Sequence, residues 1–443
     1  MLPLTTMKSP TIPLEGLPSR LIYFILCATS FAAGAQPDLY NPDPTFIWNR
    51  VHRMLHSRLS TNIQQGYGSD SLEPPLWPET QYLLTGESHR QALALLDEFL
   101  AEHAERMVTD PLHRAIFQHD LWAVFDWSDS AYPRDVTPGQ RLALQSRLAQ
   151  MIQRVALSKA EIEKLPDNLA QAAQIKSERP SELPFDLLKR DGPWVCVFPR
   201  GASGQAPVHR GFDRESSFLV FVRLPGGSQQ TRSYLRRLDE NPQAWKLTRR
   251  AANGPQILMR ESSLPQFPAG TRFALLRQML LLDNRGEVVA THLTESIQMR
   301  LHKTVPPDPF TPGEQENFEF RLSRNLLFAG KTGGLRQVTA TETEFPIFST
   351  KGNDPFEHSS HQEDLRALPI LSRCGSCHEA SGIYAVRSYA NELVRLEVGP
   401  IETPGLFEAT PAELIQGAID IDRLTRHDLG LLQGMWLRYS TKL

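Results

Sequence analysis

Apolar side chains first recur at helical spacing in Ile47, Val51, Met54, Leu55 and Leu59, with Arg50, Arg53 and Arg58 between them. That period predicts a helix. Residues 60–86, rich in Gly, Pro, Ser and Asn, read as a long loop pinned by Trp77. A second helix is expected over 87–107, with Leu93, Leu96, Leu100 and Ala104 as its stripe. Asp110-Pro111 supplies a cap and a first-turn proline for a third, which carries Ile116, Leu121, Trp122, Val124 and Phe125. Thr137-Pro138 opens a fourth, and Ser158-Lys159-Ala160-Glu161 is a capping box for a short fifth. Trp122, Phe125 and Trp127 are read as core.

After a Pro- and charge-rich connection over 166–192 the period changes. Trp194 to Phe198 and Ser217 to Leu224 are compact apolar runs, the second ended by Pro225-Gly226-Gly227. The run from Phe273 to Leu282 leads into Asp283-Asn284-Arg285-Gly286 and then Val288-Val289, two strands joined by a tight turn. Strands are also expected over 292–302, 318–322 and 335–341. The arginines at 232, 236, 237, 249 and 250 read as solvated faces. Cys196, between Val195 and Val197, reads as a buried, inert thiol. Near the C-terminus, helices are expected over 363–371, 387–396 and 428–439, with another opened by the capping box Thr410-Pro411-Ala412-Glu413.

The pattern thus implies an α+β multidomain chain: a helical domain over 36–170, a mainly β, sandwich-like domain over 193–350, and a small helical segment over 355–443. The length of 443 residues suits two or three domains. With a net charge of -3, nothing suggests a nucleic-acid partner. Lys8 and Arg20, the apolar run 21–33 and Ala33-Gly34-Ala35 read as an export signal over 1–35, cut before Gln36. The apolar run is short for a membrane span, although an uncleaved N-terminal anchor is the alternative. No other stretch reads as transmembrane, so the expected location is periplasmic or otherwise extracytoplasmic.

The chemistry concentrates in Cys374-Gly375-Ser376-Cys377-His378. Two thiols three positions apart can each form a thioether to a haem vinyl group, and the next residue can supply an imidazole to the iron. The chain has only four cysteines and 13 histidines, so a chance run of this form is improbable. On Cys374, Cys377 and His378 the C-terminal segment resembles c-type cytochromes; the likeness is local and covers about a fifth of the chain. The resemblance implies one covalent haem c held by Cys374 and Cys377, with His378 as proximal iron ligand. It also implies export, since that attachment takes place outside the bacterial cytoplasmic membrane. Small single-haem cytochromes often take a methionine as sixth ligand, and Met435 is the only methionine after the motif. His427 is its main competitor, with His358 and His361 behind it.

Other chemistries fit parts of the same stretch. His358-x-x-His361 followed by Cys374-x-x-Cys377 has the ligand types of a structural zinc site. Cys-Gly-Ser-Cys resembles a thioredoxin-type redox pair, but its flanks lack the strand and helix that motif needs. A short-loop disulfide is a third option. His52 and His56 sit four apart on the first helix, but no carboxylate or cysteine nearby in sequence completes a metal set, so they read as surface or boundary histidines. No phosphate loop, nucleophile elbow or His-Glu-x-x-His motif appears. The function expected is single-haem electron transfer with an unidentified redox protein, a carrier rather than a catalyst. A zinc-bearing scaffold and a haem peroxidase-like enzyme are the alternatives.

Overall fold

The computed structural model describes residues 39–59, 66–67, 70, 74–77, 79–130, 133, 135–175, 181–200, 215–240, 245–249, 254, 256–260, 264–307, 311–339, 354, 357, 371, 378, 380–386 and 405–440. The expected export signal, the helix expected over 387–396, all but the last residue of the one expected over 363–371, and His358, His361, Cys374 and Cys377 lie outside them.

The helices start where side chains can take up the first unpaired backbone N–H groups. Helix α1 spans Ile47–His56 and α2 Gly86–Ala101. Helix α3, Pro111–Ser128, begins with the His113 N–H donating to the Asp110 carboxylate at 2.8 Å. Capping boxes open α4, Pro138–Val155, through Thr137 and Gln140, and α5, Lys159–Ile162, through Ser158 and Glu161. The expected second helix stops early, at Ala101, because His103 turns left-handed with φ 53°. The Ala104 carbonyl beyond it accepts from the Trp48 indole at 2.8 Å, which ties the turn to α1. The buried face of α2 is Ala92, Leu95, Leu96 and Phe99, with Leu93 and Leu100 at its margin.

Strands β1 (Arg58–Leu59) and β2 (Gly66–Tyr67) form a small ribbon, and helix α6 (Asn168–Gln174) lies in the expected connection. The main sheet contains β3 (Val195–Arg200), β4 (Ser216–Arg223), β7 (Arg272–Leu282), β8 (Val288–His302), β9 (Gln315–Leu322), β10 (Leu335–Gln337) and β11 (Gly405–Glu408). Its order is β10-β9-β8-β7-β4-β3-β11, antiparallel throughout. Strands β5 (Trp245–Arg249) and β6 (Gln256–Arg260) pair separately.

The expected sandwich is replaced, among the described residues, by one large sheet with helices on it. Successive residues point to opposite faces of a strand. Trp194 and Cys196 enter one core with Leu219, Phe221 and Leu276, while Val195 and Val197 enter another with Val222 and Phe273. Both faces are therefore apolar, which explains the uninterrupted apolar runs. On the second face lies helix α7 (Gly227–Asp239), whose stripe is Thr231, Tyr234, Leu235 and Leu238. Its Arg232, Arg236 and Arg237 are exposed, as the sequence implies, but the helix itself is not among the elements expected from the sequence, although the stripe has helical spacing.

Strand β8 is one continuous element of 15 residues. It forms with β7 a long hairpin whose far end enters the helical core, where Leu280, Leu282 and Val288 join Trp122 and Phe125. Gln118 in α3 pairs with the backbone of Leu282, accepting at 3.0 Å and donating at 2.9 Å. Following helix α8 (Arg324–Phe328), the chain returns to this core through α9 (Pro411–Thr425) and α10 (His427–Ser440). Trp436 lies over the hairpin turn at Gly286. Residues 405–440 thus share a sheet and a core with earlier parts of the chain.

One glycine is required by close approach. Gly333 has φ +60°, and a Cβ there would sit 1.9 Å from the Asn168 carbonyl. Asn168 in turn is clamped to the Thr294 backbone, donating at 3.0 Å and accepting at 2.7 Å. Gly333→Ala is expected to cost about 2 kcal/mol or more from left-handed strain and overlap. Urea unfolding of the full chain checks this, and a cost within about 0.5 kcal/mol refutes it.

Candidate functional site

The described part of the motif region is His378 and residues 380–386, which settle against one end of the sheet. Strand β8 ends at His302, whose register partner on β9 is Gln315. Gln315 donates from Nε2 to the backbone carbonyl of His378. Ser381 donates to Pro306 O at 3.1 Å, and the Ile383 N–H donates to Gln266 Oε1 at 2.9 Å. Ile383, Tyr384 and Val386 are buried in the core that contains Phe267 and Phe273. A Cβ on Gly382, at φ +53°, would meet Gln266 Oε1 at 2.0 Å, so glycine permits this docking. Short polar anchors and an apolar plug hold the segment to the sheet.

The Ala385 carbonyl accepts from two directions. Arg300 reaches it from β8 at 2.9 Å, and the His378 ring reaches it through Nδ1 at 2.7 Å. A carbonyl can only accept, so Nδ1 carries a proton and donates it to Ala385. Metal-ligating histidines are held this way, with the outer nitrogen donating to a carbonyl or carboxylate.

His302 lies beneath the same segment. It is 1 % exposed, and neither ring nitrogen has a hydrogen-bond partner among the described residues. Its ring meets those of Phe267 at 4.7 Å and Phe273 at 5.8 Å, edge to face. Burial, Arg300 and His378 push its pKa down to about 3, so it is neutral at ordinary pH and able to ligate. His378, held through Nδ1, and His302, a buried imidazole without a hydrogen-bond partner in an aromatic shell, are the described side chains of this region suited to ligate an iron.

The other sequence candidates lie elsewhere. Met435 is buried in the helical core with Leu432 and Trp436. The His427 ring is exposed and bonds Asp129 at 2.8 Å, which raises its pKa. Cys196 is buried as expected, and burial pushes its thiol up to about 12.

A second polar cluster was not anticipated. His52 and His56 are buried rather than superficial, at 4 % and 0 % exposure, because their face of α1 turns toward α3. There Asp120 meets His52 Nδ1 at 3.2 Å and His56 Nε2 at 3.6 Å. Ligand atoms of the three lie within 4.8 Å of one another, so the group can hold a metal ion. The same carboxylate also pairs with buried Arg324 at the start of α8, whose charge opposes a cation at those oxygens. Burial would raise the Asp120 pKa, but Arg324, His56 and His52 outweigh it and hold the carboxyl well below its usual range. The group is balanced as an ion-pair hub.

The preceding residue of α3 extends this polar layer. His119 Nε2 lies 3.2 Å from Glu295, which is 3.2 Å from Arg277 and accepts from Ser216 at 2.6 Å. Burial lowers the His119 pKa from its ordinary 6.5, against the opposing pull of Glu295 and Asp120. The unfolded chain therefore binds its proton more readily. The stability this confers is present above about pH 6.5 and lost as pH falls from there through the folded value. Urea unfolding at about pH 7.5 and about pH 5.5 is expected to show a smaller acid loss in His119→Gln than in the parent. An equal or larger loss refutes the assignment.

No protein family, curated protein or solved structure matches this chain. Among the described residues, no helix is long and apolar enough to cross a membrane.

Proposed function

We propose that this chain is an exported c-type haem protein that passes single electrons to and from a redox protein outside the cytoplasm. Cys374 and Cys377 supply the thioether sulfurs, and His378 the proximal imidazole. The observation that carries this reading is the 2.7 Å bond from His378 Nδ1 to Ala385 O, the kind of outer hydrogen bond that orients a metal-ligating histidine. When bound, the haem supplies one-electron chemistry. The protein's part is to hold the ligand ring still. Arg300, Gln315 and Gln266 do so by anchoring the segment around it.

The three-part division of the sequence is on this reading a division of tasks. The helical region and the β-rich region form the support, and the stretch between β10 and β11 bears the cofactor. An extracytoplasmic location follows from the export signal together with the attachment motif.

The test is haem staining of denatured protein produced in a host with a working c-haem maturation system. Colour that stays with the polypeptide through acid-acetone extraction is the expected result. Colourless protein with stoichiometric zinc would replace this reading with the zinc scaffold. Rapid hydrogen peroxide turnover by the holoprotein would make it a catalyst rather than a carrier.

A further inference from the structure

We propose that His302 is the sixth iron ligand, so that the iron is held between two imidazoles, one from the motif and one from the end of strand β8. This rests on the haem reading above and adds to it a residue that lies 72 positions before the attachment motif's first cysteine. Its consequence is that the β-rich region supplies half of the axial ligation.

The first ground is the state of His302 itself. Buried polar atoms nearly always have partners, and each one left without costs about 1–3 kcal/mol. His302 has two such atoms on one ring, at 1 % exposure, in a shell of Phe267 and Phe273. An ordinary core position there would be better filled by leucine or phenylalanine. A metal bond to one nitrogen removes part of that cost.

The second ground is position. The backbone of His302 is fixed on both sides: its N–H donates to Thr271 O at 2.9 Å, and its carbonyl accepts from Gly270 at 2.7 Å. Its partner in the β8–β9 register is Gln315, the residue that holds the His378 carbonyl. Arg300, two residues earlier on the same strand, holds the Ala385 carbonyl to which the His378 ring is bonded. The strand end that carries His302 is thus also the anchor of the motif histidine.

The third ground is the placement of two competitors, Met435 and His427. The Met435 side chain packs among Leu432, Trp436 and their neighbours in the helical core. The His427 side chain is 82% exposed and paired with Asp129. A bis-imidazole iron also has a lower potential than a His/Met one, which sets the class of partner it serves.

The experiment uses the full chain matured with covalent haem. Staining and the pyridine haemochrome are read first. If the parent protein carries no covalent haem, the haem reading fails and this inference fails with it. With haem present, the oxidised parent is expected to be low-spin, with the electron paramagnetic resonance and near-infrared signature of two imidazoles. His302→Ala is expected to keep its stainable haem, become high-spin, gain rapid carbon monoxide binding when reduced, and return to low spin with added imidazole. His302→Met is expected to raise the midpoint potential. Met435→Leu and His427→Gln are expected to leave the spectrum as it was. A thioether or open-site signature in the parent, or a His302→Ala protein that stays low-spin with unchanged spectra, overturns the assignment while the haem reading stands. If His302→Ala does not fold, the ligand signature of the parent still decides.

Discussion

Replacing Cys374 and Cys377 together by serine is expected to abolish covalently held haem. On the proposed reading each thiol would make one thioether, so either single variant is expected to keep one attachment point and a reduced yield of stained protein. The double variant keeps none. His378→Ala is expected to behave differently: the thiols persist, but the ring bonded to Ala385 is lost, and with it the proximal ligand. Any haem that remains attached should then have altered spin state and spectrum. The readout is stain intensity after denaturation, normalised to protein, with absorption spectra of the native samples. Undiminished stain in the double variant would sink the attachment assignment.

Arg324→Met is expected to be among the most destabilising single substitutions available in the chain. Arg324 and Asp120 are 2 % and 4 % exposed and face each other across α8 and α3. Burial opposes the charge of Arg324, and Asp120 outweighs it, so that the guanidinium pKa is raised. Removing one member of a buried pair strands the other, at a cost of about 3–5 kcal/mol. His52 and His56 soften this by remaining beside the carboxylate. The double variant Asp120→Asn, Arg324→Met is expected to lose less than the two singles summed, with a coupling of about 1 kcal/mol or more. Urea unfolding followed by tryptophan fluorescence serves as readout, since Trp48 and Trp122 lie in the adjoining core. A loss below about 1 kcal/mol for Arg324→Met would mean that the pair is not the hub described here.

The local elements were written in the sequence because their causes are local. The three capping boxes, at Thr137, Ser158 and Thr410, each place an acceptor three residues before its donor, and all three open helices. The turn at Asp283–Gly286 and the strands around it follow from residues within a few positions of one another. Helix α7 was equally legible in its stripe, but the density of arginine around Tyr234 and Leu238 drew the reading toward solvent. The early end of α2 was not legible, since it depends on an indole from α1 reaching the Ala104 carbonyl.

By itself, then, the sequence determined helices α1 to α5, α9 and α10, most strands of the main sheet, the turn between the two longest strands and the Cys-x-x-Cys-His run. Tertiary structure alone decided which residues surround that motif and which polar groups meet inside. Asp120 completes the pair His52 and His56 only because α1 and α3 pack side by side. His302 and Gln315, which catches the carbonyl of His378, are brought together only by the register of β8 on β9. Hydrogen bonds across three or four residues leave a spacing that can be read. Contacts that close across tens or hundreds of residues depend on strand order and on how two apolar faces are covered, and no spacing along the chain records either.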